Sequence, residues 1–210
     1  MTHSERLAQV YWLGGSPCAG KSTVADGLAT RFNMTVYRCD DAFYEHIRQV
    51  DPARHPTFHR LATASPDGIW LRPVQQQIDD EIALYHEEFE MIIDDLIAIP
   101  NDRPIIAEGA ALLPELISTL NIPFHRKLWM IPTEDFQRHH YGTREWRHDV
   151  LRETSDPERA WENWMQRDAG FARHVGEQAR LLGESAILID GSLPIGSVAA
   201  KVRSQFALDS

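Results

Sequence analysis

Lysine is nearly missing from this chain of 210 residues: of its 21 basic side chains only Lys21, Lys127 and Lys201 are lysines, and the other 18 are arginines. Cysteine is as scarce. Cys18 and Cys39 stand alone, which excludes a disulfide-stapled scaffold, and without an export signal both read as reduced thiols. No apolar run approaches the roughly 18 residues that a membrane helix needs, and Met1 to Val10 has no apolar leader segment. A cytoplasmic protein with no membrane partner is the expectation. An excess of basic charge is also lacking: 31 acidic residues give a formal net charge of −10. That argues against gripping long nucleic acid, which demands a basic footprint, but leaves room for a short cationic cleft. Repeats and low-complexity tracts are absent too.

What is present is enough for a core. With 43% apolar and 25% charged residues, the chain is neither disordered nor dependent on cross-links, and its length suits one domain. The run Gln9–Leu13 reads as a buried strand that meets Gly14 and Gly15. Lys21–Phe32 follows as a helix, with Val24, Leu28 and Phe32 at helical spacing. Met34–Cys39, Pro104–Ala107, Lys127–Ile131 and Ala186–Ile189 are further short apolar runs bounded by turn residues. Strands interleaved with helices imply a parallel sheet. Two mostly helical stretches interrupt the alternation. The first, about 41–103, has a Pro- and His-bearing break from Pro52 to Pro73 and then a long acidic helix, Val74–Ile99. The second, about 134–182, is helical around Glu134–Leu151 and Trp161–Leu182.

Residues Gly15, Ser16, Pro17, Cys18, Ala19, Gly20, Lys21 and Ser22 fit G-x-x-x-x-G-K-[ST], between a predicted strand and a predicted helix. Glycines let backbone N–H groups turn inward around phosphate oxygens, and the helix presents its positive end to the same anion. In such a loop Lys21 reaches the β- and γ-phosphates and Ser22 ligates Mg²⁺. Thr23 extends the nucleotide-binding stretch, although its position also suits helix packing. In Arg38-Cys39-Asp40-Asp41, Asp41 is placed to cap a helix over Ala42–Val50. Asp40 then remains as a carboxylate at the carboxyl end of a strand, where α/β sheets bind ligands. A base there accepts the proton of an attacking hydroxyl.

In these motifs the chain resembles P-loop kinases of the nucleoside monophosphate kinase-like superfamily, especially hydroxyl kinases such as polynucleotide 5′-kinases and chloramphenicol phosphotransferases. The likeness is carried by about the first 45 residues. It implies a three-layer α/β/α fold with a five-stranded parallel sheet in order 2-3-1-4-5, ATP with Mg²⁺, and Asp40 as base. It further implies a helical acceptor-binding insertion (41–103) and an arginine-bearing lid (134–182) within one domain, 1–210.

Pro104-Ile-Ile-Ala-Glu-Gly109 ends in Glu108, in the slot where many such proteins orient Mg²⁺. Uridine kinase-like enzymes are similar in having Glu-Gly there, which can face the acceptor instead, so Glu108 is a candidate for both metal and substrate. Seven arginines fall between Arg138 and Arg173. Guanidinium groups on a closing lid stabilise a transferring phosphoryl group, and Arg138, Arg144 and Arg167 are the candidates. Gly191 and Ser192, after the last strand, are candidates for the base of the nucleotide. For the acceptor, Arg38, Asp40, Arg72 and Glu108 are the main candidates, with Gln76, Asp80, Tyr85 and Glu88 available and Phe58, Trp70 and Phe89 as wall or packing. The histidines lack a metal-ligand spacing. The expectation is an ATP- and Mg²⁺-dependent kinase acting on a hydroxyl of a small molecule. A nucleotide or polynucleotide end kinase, or an ATP-binding switch that phosphorylates no acceptor, remain the alternatives.

Overall fold

The computed structural model describes residues 2–208. Five short strands, β1 (Tyr11–Gly15), β2 (Thr35–Arg38), β3 (Ile105–Glu108), β4 (Lys127–Pro132) and β5 (Ala186–Ile189), form one sheet in the order β2-β3-β1-β4-β5. Every pairing is parallel. Helices flank both sides, giving the α/β architecture of a P-loop NTPase-like fold.

Strand periodicity sorts the core into two layers. Trp12, Ile105, Ala107 and Trp129 point to one side; Tyr11, Leu13, Ile106, Leu128 and Met130 point to the other. Each fully buried aliphatic side chain among them contributes about 1.5–3 kcal/mol. The indole N–H groups of the two buried tryptophans are satisfied: Trp129 donates to the Leu112 carbonyl at 2.7 Å and Trp12 to that of Leu7 at 3.4 Å, as buried indoles require.

In chain order the helices are α1 (His3–Leu7), α2 (Lys21–Phe32), α3 (Cys39–Ile47), α4 (Pro56–Ala62), α5 (Pro66–Trp70), α6 (Val74–Ala98), α7 (Pro114–Ile117), α8 (Glu134–Gly142), α9 (Arg147–Leu151), α10 (Pro157–Leu181) and α11 (Ile195–Gln205). Helices α2 and α11 cover the Leu13 side, through Val24, Leu28, Val198 and Val202. Helices α6 and α10 cover the Trp12 side, through Phe89, Ile92, Phe171 and Val175, and pack against each other. The two stretches that interrupt the alternation in sequence therefore meet over one face of the sheet. A satellite cluster of Tyr141, Leu151, Ala160, Trp164 and Met165 joins them at one end, with Trp70 and Cys18 against it.

Several boundaries differ from the sequence reading. Helix α3 starts at Cys39 with Arg38 in the cap position, so Asp41 is not its N-cap. Asp40 and Asp41 both lie in its first turn, where their charge complements the helix dipole. The Pro52–Pro73 break contains α4 and α5, each opening on a proline, the residue best tolerated at a first helical position. The pattern over Glu134–Leu151 is divided at Gly142-Thr143 into α8 and α9. Helix α10 begins four residues earlier than the Trp161 of the sequence pattern, at Pro157, where the Asp156 side chain accepts from the Arg159 N–H at 3.1 Å. Helix α1 has a capping box in which Thr2 and Glu5 bond reciprocally, a spacing visible in the sequence.

Candidate active site

All five strands point their carboxyl ends toward one edge, and the 15–22 loop sits at its centre, after β1. The loop's geometry depends on two glycines. Gly15 has φ +126°, and a Cβ there would run into the Met130 backbone on β4; Gly20 has φ +85°. Both conformations are strained for any other residue. Cys18, at the tip, takes the left-handed region as well, with φ 64°. The Ser16 N–H is tied to the Met130 carbonyl at 3.2 Å, and Ser16 Oγ donates to the Asp168 carbonyl on α10 at 3.4 Å.

Helix α2 follows with Gly20 as its cap, and no side chain bonds its first N–H groups and no acid occupies its first turn. Unpaired N–H groups and the dipole make this helix end suited to an anion. Lys21 is buried and donates to the Ser16 carbonyl at 2.9 Å, so its ammonium is held across the mouth of the loop. Burial pulls its pKa below the usual lysine value, while Glu108 and Asp40 oppose that fall.

Glu108 ends β3, directly beside Leu13 and Arg38 in the sheet register. It is 4% exposed and lies near Ser22 and Lys21. Burial raises its pKa, and Lys21 and Ser22 moderate the rise. A hydroxyl and a carboxylate near each other, beside an anion site, form a donor set suited to Mg²⁺ that arrives with a polyphosphate and keeps some of its waters. Among the described residues no group of three or more His, Cys, Asp or Glu could hold a metal by itself. The residues fit a nucleoside triphosphate and its metal bound together. Arg38 is tied to Asp26, with its Nε 3.9 Å from Glu108.

Two sets of cavities open from this centre. On the β4–β5 side lies one of about 720 Å³, lined by Cys18, Ala19, Gly20 and Thr23 from the loop and α2, by Phe136, His140 and Arg144, and by Gly191. Gly191 has φ +85°, and a Cβ there would lie 3.2 Å from the Phe136 ring. Ser192 instead folds back on Asp190, through N–H and hydroxyl bonds of 2.9 and 2.6 Å.

On the β2–β3 side Asp40 is exposed and borders a cavity of about 260 Å³ with Phe43, Tyr85, Glu88 and Ala111. Phe43 and Tyr85 also border a second cavity of about 460 Å³, walled by Trp70 and Leu84 and edged by Arg72, Glu81 and Arg167. Asp40 thus lies close enough to Lys21 and Glu108 for them to feel its charge, and borders the smaller of two cavities that share Phe43 and Tyr85.

The three lid candidates have different surroundings. Arg144 stacks over Tyr141 and Trp146, at 5.1 and 5.6 Å, and borders the larger cavity. Arg138 is engaged by Glu134 at 2.9 Å and by Glu162 through two bonds of 3.0 and 2.8 Å. Arg167 is held by Asp168 and Glu81 and stacks over Trp70. Arg72 pairs with Asp80. Among the acceptor-side polar groups, Gln76 faces solvent and Asp80 binds Arg60 and Arg72. The stripe that lines the clefts runs Gln77, Glu81, Tyr85 and Glu88. Helical spacing of i, i+4, i+8 and i+11 was the available signal for it. Phe58 is fully buried and stacked on Phe43 at 5.0 Å, and Phe89 lies in the core. Trp70 alone of the three aromatics is wall.

Sequence reasoning passed over His46. It lies 1% exposed between Glu88 and Asp95, at 2.8 and 3.1 Å, and Tyr37 also donates to Asp95. Glu88, which borders the Asp40 cavity, is thereby fixed in orientation.

No protein-family model matches this chain, and no curated protein matches it. Among solved structures, a candidate kinase from Chloroflexus aurantiacus is similar in outline, with 15% identity and a TM-score of 0.39 over 93% of this chain and 97% of that one.

Proposed function

We propose that the protein is an ATP-dependent phosphotransferase that moves the γ-phosphate to a hydroxyl of a small molecule. One observation carries the reading: Asp40 borders the acceptor cleft while its charge reaches Lys21 and Glu108 at the 15–22 loop. A base on one side and a phosphate cradle on the other is the arrangement in-line transfer requires.

In this reading the loop amides and Lys21 hold the phosphates, which releases Lys21 from the Ser16 carbonyl. Ser22 and Glu108 would hold Mg²⁺, whose chemistry is to neutralise charge on the transferring group. Asp40 accepts the proton of the attacking hydroxyl at its carboxylate oxygen. Phe136 and Gly191 take the base of the nucleotide, and Arg144 approaches the phosphates from its stack on Tyr141 and Trp146. Closing the stretch between α8 and α10 over the loop, with α10 remaining packed in the core, excludes water and limits hydrolysis.

The test is ATP-dependent mass gain by a library of alcohols, followed by Asp40→Asn on any acceptor found. A fall in kcat of about 10²–10⁴-fold is expected for the loss of a general base. Unchanged kcat would remove Asp40 from the chemistry, and ATP binding without transfer to any alcohol would favour the switch alternative.

A further inference from the structure

The acceptor cleft has an unbalanced charge. The walls of its larger part are apolar, from Phe43, Ile47, Leu61, Ile69, Trp70 and Leu84. Its polar edge holds two sets of ions that differ in their bookkeeping. Arg72 is neutralised by Asp80, and the second guanidinium on Asp80, Arg60, has a side chain 49% exposed and is solvated. Arg167 is shared. It donates Nε and Nη2 to Asp168 Oδ1 at 2.8 and 2.6 Å, and its Nε lies 3.1 Å from Glu81 Oε2.

Asp168 is fully buried and also accepts the Trp164 indole N–H at 3.2 Å. Among the described residues Glu81 accepts one hydrogen bond, from the Tyr85 hydroxyl on Oε1 at 3.2 Å, and its solvent-shielded Oε2 has the Arg167 ion pair but no hydrogen bond. Two carboxylates therefore share one guanidinium, and the edge of the cleft is one positive charge short. Burial pushes Glu81 up to about 7, with Arg167 pulling it down and Asp168 pushing it further up. Gln77, one turn earlier on α6, is 2% exposed and also has an unpartnered oxygen, its two N–H bonds being spent on the Trp70 and Arg72 carbonyls. Unpaired buried acceptors are costly and imply a donor that arrives from outside.

We propose that the cleft selects alcohols that also carry a protonated amine, with the ammonium on Glu81, the apolar body along Phe43 and Tyr85, and the hydroxyl directed to Asp40. Both aromatic residues border the Glu81 and the Asp40 cavities, so one molecule can span the two. Aromatic faces beside Glu81 add attraction for a cation, and a buried carboxylate left without its own counter-charge rejects neutral analogues.

The inference rests on the phosphotransferase reading, and the experiment separates the two. Aryl and alkyl alcohols would each be tested as free amine, N-acetyl amine and deaminated form, by calorimetric binding and by ATP-dependent phosphorylation of the wild-type protein. The free amines are expected to lead in kcat/KM by about tenfold or more, and Glu81→Gln to bring the amine-to-neutral ratio close to one by raising KM for the amine. Phosphorylation of N-acetyl or deaminated forms equal to that of the amines, or a ratio unmoved in Glu81→Gln, overturns the inference and leaves the kinase reading standing. Amines that bind through Glu81 without gaining phosphate keep the recognition site and overturn the kinase reading. No binding by any of the three forms overturns the proposed site.

Discussion

The proposed nucleotide side and the proposed acceptor side of the 15–22 loop are built in different ways. The nucleotide side begins with eight consecutive residues whose backbone does the work, and its geometry is enforced by Gly15 against the Met130 backbone and by Gly20 at the helix cap. The acceptor side gathers Asp40 and Phe43 from α3, Leu61 from α4, Trp70 from α5, the Gln77–Glu88 stripe from α6 and Arg167 from α10. A site made from one local turn is hard to alter without losing it. A site made from five helices can change its selectivity one side chain at a time.

The largest effects should fall where the two sides meet. Lys21→Ala is expected to lower phosphoryl transfer by roughly 10³-fold, the scale of losing a charged donor to the transferring group; an ADP-release assay reads it. Gly15→Ala should follow, since positive φ alone costs about 1–3 kcal/mol before the clash with β4. Urea unfolding and nucleotide titration should both register it. If Gly15→Ala keeps nucleotide affinity, the loop does not depend on its backbone conformation as its glycines imply.

Ile92→Ala separates packing from recognition. The residue is fully buried on the core face of α6, so a loss of about 2–5 kcal/mol is expected in urea unfolding, with little change in KM for ATP. Arg144→Ala and Arg138→Ala test the lid. Removing Arg144 should lower kcat/KM for ATP by about tenfold, one charged hydrogen bond's worth. Removing Arg138, whose partners Glu134 and Glu162 are solvent-exposed, should cost within about 1 kcal/mol of stability and leave the kinetics near wild type. Equal kinetic effects would erase the distinction between them.

The smallest effect is a pH dependence. Burial opposes charge on His46, but the hydrogen bonds and charges of Glu88 and Asp95 outweigh it and raise its pKa above 6.5. Burial raises Glu88 as well, against the pull of His46. The pair therefore holds a proton more tightly folded than unfolded. Its stabilisation is full below the unfolded histidine value and declines as pH rises through the raised one. Unfolding measured from pH 6 to pH 9 should show this decline, and His46→Gln should flatten it.

Asp40 shows where sequence reading reached its limit. Its position after β2 made it a candidate, but the capping argument that assigned Asp41 a separate task did not hold, because α3 begins three residues earlier than the Ala42 of the sequence pattern. The long helix shows a second limit. Val74–Ala98 was visible from its periodicity, yet Gln76 and Asp80 were chosen as acceptor-facing where Gln77 and Glu81 line the cleft. Periodicity gives the spacing of a helix face, and the rotation that aims it comes from packing on the sheet and on α10.

By itself the sequence determined the strand order's raw material, the 15–22 loop and the scarcity that makes Lys21 conspicuous, since these depend on local backbone chemistry and short-range periodicity. Only the tertiary structure decided that Glu108 lies near Lys21 and Ser22, that Arg144 borders the larger cavity while Arg138 and Arg167 are engaged by carboxylates, and that Glu81 and Asp168 share one guanidinium. Each of those pairings joins residues far apart in the chain, and their charges acquire meaning only at the distances that folding sets.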